Sequence, residues 1–255
     1  MIKFFRKIRQ RSLTENRFSK YLLYAIGEII LVVIGILIAL QINNNNNYNA
    51  QRSLEREYLM SLQTEFEINL NKINESIQRN EKRIQAFDFL LTLFDKNVLD
   101  TVSNKFISQM FVPVFGEKTS YLPSTGVLND IISSGKLNII LNKNLRQNLA
   151  SHESSLNQLN IQLNGAEFSD ENLRLYVYKE GSLRNMSVDI GYVEFEHESI
   201  SKDVDNKQLF NSVEFENYLL SYSFYTKATN GPYSFGRIKT EIETILELIE
   251  QELKK

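Results

Sequence analysis

The chain has 255 residues, room for one membrane anchor and a domain of about 200 residues, or for two small domains. Its 42% hydrophobic and 24% charged residues exclude wholesale disorder, and only 10 Gly and 3 Pro argue against a turn-dense β-sandwich or barrel. The absence of Cys excludes disulfides, thiolate nucleophiles, Cys-based zinc sites and lipoprotein acylation, and two His (His152 and His197) leave little for a metal centre.

The net charge of −2 hides an asymmetry. Residues 1–20 carry Lys3, Arg6, Lys7, Arg9, Arg11, Arg17 and Lys20 against Glu15, so a head of +6 precedes a remainder of −8. Ile2, Phe4, Phe5 and Ile8 can share one helical face of that head, which suits a short helix on an anionic membrane leaflet better than a nucleic-acid arm.

Residues 21–42 read YLLYAIGEIILVVIGILIALQI, with Glu28 the only charge. As a helix, 22 residues rise about 33 Å, matching a hydrocarbon core of roughly 30 Å. No A-x-A triplet follows, so the segment reads as an uncleaved transmembrane helix rather than a signal peptide. Seven Lys/Arg precede it, while residues 43–62 hold only Arg52 and Arg56. The positive-inside rule then puts the N-terminus in the cytoplasm and the acidic body across the membrane, which for a bacterial inner membrane is the periplasm.

Glu28 needs an explanation, because a carboxylate in lipid costs about 2.5–3.5 kcal/mol on insertion scales. Ala25, Glu28, Val32, Gly35 and Ala39 project onto one helical face, and Gly35 and Ala39 permit close approach of a second helix. That face is the expected association surface. Glu28 sets register or snorkels in the plain reading; a proton relay or a partner span are the functional alternatives.

The block from Phe4 to Asn44, with its basic head, YAIGE and VIGILIALQINN, resembles the N-terminus of a family of uncharacterised single-pass membrane proteins of flavobacteria and their relatives. The stretch SSGKLNIILNKNLRQNL at 133–149 is similar to a second patch of that family. Family members usually carry an aromatic within the Asn-rich exit, where this chain has Asn43 to Asn47. The resemblance implies a membrane protein of unknown function and supplies no catalytic residues.

The expected fold class is all-α: the transmembrane helix, an Asn-rich neck at 43–50, then a helical domain over 51–255 led by a long coiled-coil-like helix. Eleven positions from Leu59 to Phe94 (Leu59, Leu62, Phe66, Leu70, Ile73, Ile77, Asn80, Ile84, Phe87, Leu91, Phe94) are spaced by 3.5 residues on average. A coiled coil between chains or a hairpin within one chain satisfies this. Asn80, the one polar member, would fix register at a cost in stability, so Asn80→Leu should raise the melting temperature and broaden the oligomer distribution.

Further along, a helix around Phe106–Phe111 must stop near Pro113. Ser124 or Thr125 can cap the next, which Gly135 ends. Asn142 can cap a helix with Leu145, Leu149, His152, Leu156, Leu159, Leu163 and Ala166 on its face, continuing beyond Gly165 through Leu173 and Val177. Ser212 or Glu214 opens a helix that Gly231–Pro232 breaks, and Ile238, Ile242, Ile245, Ile249 and Leu253 mark a last amphipathic one. Residues 187–197 alternate, hinting at a short hairpin or an irregular loop.

Chemistry is sparse. No phosphate loop, H-E-x-x-H, G-x-S-x-G or kinase-type set is present. His152 reads as a hydrogen-bonded core residue; as a base or ligand it would use Glu153 or Asp170. His197, within Glu194–Glu198, reads as part of a solvated acidic loop rather than a cation site. Tyr218, Tyr222, Phe224, Tyr225, Tyr233 and Phe235 read as packing more than as a ligand pocket. The expectation is an interaction, scaffold or sensor-like module without enzyme activity, cofactor or metal. Its partners would be the lipid bilayer, a second copy or another membrane protein, not nucleic acid. The rivals are a ligand-binding sensor or enzyme with a site between helices, and an accessory subunit using Glu28 in proton-linked coupling.

Overall fold

The computed structural model describes the backbone from Phe18 to Lys255 and the side chains from Leu22 onward. The basic head therefore lies outside the described residues, apart from its last three backbone positions. Among the described residues every regular element is helical. In chain order they are α1 (Phe18–Thr92), α2 (Lys96–Leu99), α3 (Asn104–Phe115), α4 (Gly126–Ser133), a 3-10 turn at Lys136–Ile139, α5 (Lys143–Glu180), α6 (Leu183–Asp189), a second 3-10 turn at Asn206–Asn211, α7 (Val213–Asn230) and α8 (Phe235–Leu253). The chain divides into two units after Glu57.

In the first unit α1 carries its apolar run with every large side chain from Leu22 to Ile42 exposed, and Asn43–Asn47 continue the helix. That stretch is long and apolar enough to cross a membrane, and none of it is buried. Near its end the Arg52 guanidinium lies 5.4 Å from the Tyr48 ring centre and pairs with Glu55.

The second unit starts at Tyr58 and is a helical bundle with two apolar cores. The first joins Leu59, Leu62, Phe66 and Ile73 of α1 to Leu145 and Leu149 of α5 and to Ile238, Ile242, Ile245 and Ile249 of α8. The second joins Phe87, Leu90 and Leu93 of α1 to Ile107, Phe111 and Val114 of α3, Leu173 and Val177 of α5, and Phe215, Leu219 and Tyr222 of α7. Each such residue contributes about 1.5–3 kcal/mol by leaving water, so these faces outweigh the modest helix propensity of a chain this rich in Asn and Ser. The periodic positions of α1 thus bury within one chain: Leu59, Leu62, Phe66, Ile73, Asn80 and Phe87 are fully covered, and the remainder half-buried.

Side-chain caps start most helices where the sequence places them. The Asn142 carboxamide oxygen accepts from the Leu145 amide at 3.0 Å, and Ser212 Oγ from the Phe215 amide at 3.2 Å. Thr125 occupies the position before α4 without a side-chain cap; Glu65 of α1 supplies it instead, accepting from the amides of Val127 at 2.8 Å and Leu128 at 3.1 Å. Gly135 sits at φ +69°, the left-handed conformation expected of a residue that ends a helix.

Of the two readings of residues 187–197, no hairpin forms: the chain through Asp189 completes α6, capped by Ser182, and an irregular loop follows. α3 stops near Pro113 as expected, two residues beyond it at Phe115. The proline removes only the amide donor to the Gln109 carbonyl, and the terminal carbonyls that follow it need outside donors in any case. Those donors are two arginines of other helices.

Candidate functional site

The expected association face lies on one continuous helix. Ala25, Glu28, Val32, Gly35 and Ala39 share a side of α1; Glu28 and Val32 are exposed, and a Cβ at Gly35 would meet nothing. The helix aligns these residues without bringing another described element of that unit against them.

In the second unit, a polar row runs along α1 beside the apolar one: Glu65, Asn69, Lys72, Ser76, Asn80 and Arg83, spaced by three or four. It holds down the irregular segment between α3 and α4. Asn69 pairs with the Ser124 backbone, its Nδ2 donating to the carbonyl and its Oδ1 accepting from the amide, both at 2.7 Å. Lys72 Nζ donates to Ser124 Oγ at 3.0 Å, and Ser76 Oγ to the Ser120 carbonyl at 3.0 Å. The row was legible in the sequence as Glu, Asn, Lys, Ser, Asn and Arg at helical spacing, but a count of apolar residues passes over it.

Arg83 ends the row and is 1% exposed. Its Nε donates to the Pro113 carbonyl at 3.1 Å, and Nη1 donates to Asn80 Oδ1 at 2.5 Å and Thr119 Oγ1 at 2.8 Å. Nη2 donates to the Glu117 carbonyl. From α5, Arg174 donates from Nη2 to the Phe115 carbonyl at 2.8 Å while its Nε is forked between the two Asp170 oxygens at 2.8 and 2.9 Å. Two guanidiniums therefore cap the C-terminal end of α3, where the helix dipole favours cations. Burial depresses the Arg83 pKa and raises that of Asp170 against the pull of Arg174. For Arg174 burial works downward, but the Asp170 hydrogen bond and charge carry its pKa up. The four acceptors of Arg83 are neutral, so this cluster reads as a structural clamp, not as acid–base machinery.

His152 is 1% exposed on the α5 face turned toward α1 and α8. Its partner is neither Glu153 nor Asp170. Nδ1 lies 3.3 Å from Glu241 Oε2 of α8, and the ring packs on Phe66 with centres 5.3 Å apart. Glu241 Oε1 also accepts from Ser155 Oγ and from Arg237 Nε, both at 2.8 Å. Ser, His and Glu are thus assembled in the wrong order for nucleophilic catalysis: the serine donates to the carboxylate, and no base reaches its oxygen.

Burial pushes the Glu241 carboxyl up, yet the hydrogen bonds from His152, Ser155 and Arg237 outweigh that and hold its pKa below the usual range. A lowered folded-state pKa means stability fully present above the unfolded value of about 4.3 and lost as pH falls below that value and through the lower folded one. The urea midpoint of the full chain in detergent should therefore fall between pH 5 and 3.5, and more steeply than that of Glu241→Gln. Parallel slopes would show that Glu241 contributes nothing to acid sensitivity.

The remaining candidates disperse. Tyr222 and Phe235 are core, whereas Phe224 and Tyr233 are exposed, so the aromatic stretch lines no shared pocket. Around His197, Arg184 donates to its carbonyl and stacks 4.1 Å from the Phe195 ring centre. Among the described residues no group of three His, Asp or Glu is placed to hold a metal.

These features define an all-helical protein with one N-terminal helix long and apolar enough to cross a membrane. The chain belongs to a family of unknown function, DUF6090, whose model matches residues 28–186, from Glu28 of α1 to Met186 of α6. No curated protein and no solved structure matches the chain significantly.

Proposed function

We propose that the protein is a single-pass, membrane-anchored helical interaction module, a scaffold or sensor-like component without catalysis of its own. The observation that carries it is the α1 stretch from Leu22 to Ile42, wholly apolar but for Glu28 and Gln41 and with no described residue burying it. Water cannot cover that surface cheaply; a bilayer can. The resemblance of the span to single-pass proteins of flavobacteria supports the same reading.

The basic head belongs in the cytoplasm and the helical unit in the periplasm, following the excess of Lys and Arg before the span. Self-association, or association with another membrane protein, runs through Ala25, Glu28, Val32, Gly35 and Ala39, where small residues admit a second helix and hide Glu28 from lipid. The clamp at Arg83 and the Glu241 cluster serve to hold the periplasmic surface in one shape.

Topology tests the reading. A reporter active only outside the cytoplasm should be active when fused after Lys255 and silent when fused before Lys3. Activity in neither fusion, or the reverse pattern, removes the proposed orientation and with it the compartment of the helical unit.

A further inference from the structure

We propose that the end of the helical unit at which Tyr58 enters is a docking surface for anionic phospholipid headgroups of the bilayer that holds the span. The proposal rests on the membrane reading above.

Hydrogen bonds assemble this end from four elements. Lys136 of the first 3-10 turn donates from Nζ to Tyr58 Oη at 2.8 Å, and its ammonium lies 5.5 Å from the Tyr58 ring centre. The Asn142 carboxamide at the start of α5 donates to Glu252 Oε1, near the end of α8, at 2.7 Å. Tyr58, Leu137 and Leu253 pack on one apolar core.

Charge singles this end out. Residues 58–255 hold 20 basic and 27 acidic side chains. The Tyr58 end carries Lys136, Lys143, Arg146, Lys254 and Lys255 against Glu250, Glu252 and Asp130, leaving 15 basic against 24 acidic elsewhere in the unit. Lys143 stands at the first position of α5, where the helix dipole works against a cation, so helix stability does not account for it. Beside it Leu141 is 55% exposed, an apolar side chain amid cations, the pairing found on interfacial surfaces.

The chain itself supplies proximity. Fifteen residues, or sixteen steps, separate Ile42 from Tyr58, so even full extension allows no more than about 56 Å. A tether of that length keeps the basic end at high effective concentration near the bilayer. Anionic lipid attracts Lys and Arg within a Debye length of about 8 Å, while the acidic remainder of the unit is repelled. Together these orient the unit with its Tyr58 end toward the headgroups.

The chain has no Cys, so one introduced thiol reports cleanly. Asn138→Cys, exposed in the 3-10 turn, carries a fluorescent donor, and Asn97→Cys, exposed in α2, is the control. Each full chain is reconstituted into vesicles of phosphatidylcholine, or of phosphatidylcholine with 30% phosphatidylglycerol, bearing a headgroup acceptor. Energy transfer from residue 138 should rise at least twofold with phosphatidylglycerol. It should return to the neutral-lipid level with Lys143→Glu, Lys254→Glu and Lys255→Glu combined, while residue 97 shows no dependence on lipid. Equal transfer in both lipids, or a rise that survives the triple reversal, overturns the docking. A chain that floats with neither vesicle type fails the membrane reading itself. One that floats with both and shows no lipid dependence fails the docking alone.

Discussion

Arg83→Met should lower the melting temperature of the full chain in detergent by about 6–20 °C. Breaking a buried charged network costs about 3–5 kcal/mol, and for a unit of this size each kcal/mol shifts the midpoint by roughly 2–4 °C. The methionine fills much of the volume but donates nothing. The Pro113 and Glu117 carbonyls, Asn80 Oδ1 and Thr119 Oγ1 all lose a charged donor in a site that water does not reach. Arg83→Lys keeps the charge yet cannot present a planar fork to four acceptors, so it should fall between the two. Arg79→Met is the control one turn away: its half-exposed guanidinium pairs with Glu117 at 3.1 Å and Glu75 at 3.8 Å, contacts worth no more than about 1 kcal/mol. Equal melting of the Arg83 and Arg79 variants would show that the clamp holds nothing.

Arg83 also marks where sequence reading ran out. Apolar periodicity located the buried faces of α1, α5 and α8, because burial of Leu, Ile and Phe leaves a trace at every third or fourth residue. Capping chemistry located Asn142 and Ser212, because a cap bonds within three residues. Arg83 leaves neither trace. Two of its four acceptors are backbone carbonyls 30 and 34 residues away, and a carbonyl has no letter in the sequence. Glu241, 89 residues from His152, was invisible for the same reason, and the nearer Glu153 and Asp170 drew attention in its place. The α4 cap shows the effect in miniature: two local candidates stood at 124 and 125, and a carboxylate from another helix does the capping. On the span face the balance is the opposite, since helix geometry alone aligns Ala25, Glu28, Val32, Gly35 and Ala39, and the sequence carries all of that information.

Asn80→Leu should now destabilise the protein, the reverse of what its place in the apolar seam suggests. If Asn80 met a second copy in a coiled coil, leucine would add burial and raise the melting temperature. In the structure its Oδ1 instead accepts from Arg83 Nη1 at 2.5 Å and lies 3.5 Å from Thr119 Oγ1. Leucine removes an acceptor from a buried guanidinium, a hydrogen bond worth about 1.5–3 kcal/mol because one partner is charged. It also deletes the Asn80 Nδ2, which has no partner in the core, and this returns part of the loss. The net expectation is a fall of about 1–2 kcal/mol, with one sedimenting species as in the parent, since Asn80 faces its own chain. The two terms separate in a double-mutant cycle. With Arg83→Met already in place no guanidinium remains to be stranded, so Asn80→Leu in that background should be neutral or stabilising. The coupling between the two positions should then exceed about 1 kcal/mol, as expected for residues in direct contact. A rise in melting temperature for Asn80→Leu alone, or the same shift in both backgrounds, would mean that Arg83 does not govern residue 80. The apolar seam would then regain its place as the reason for the helix.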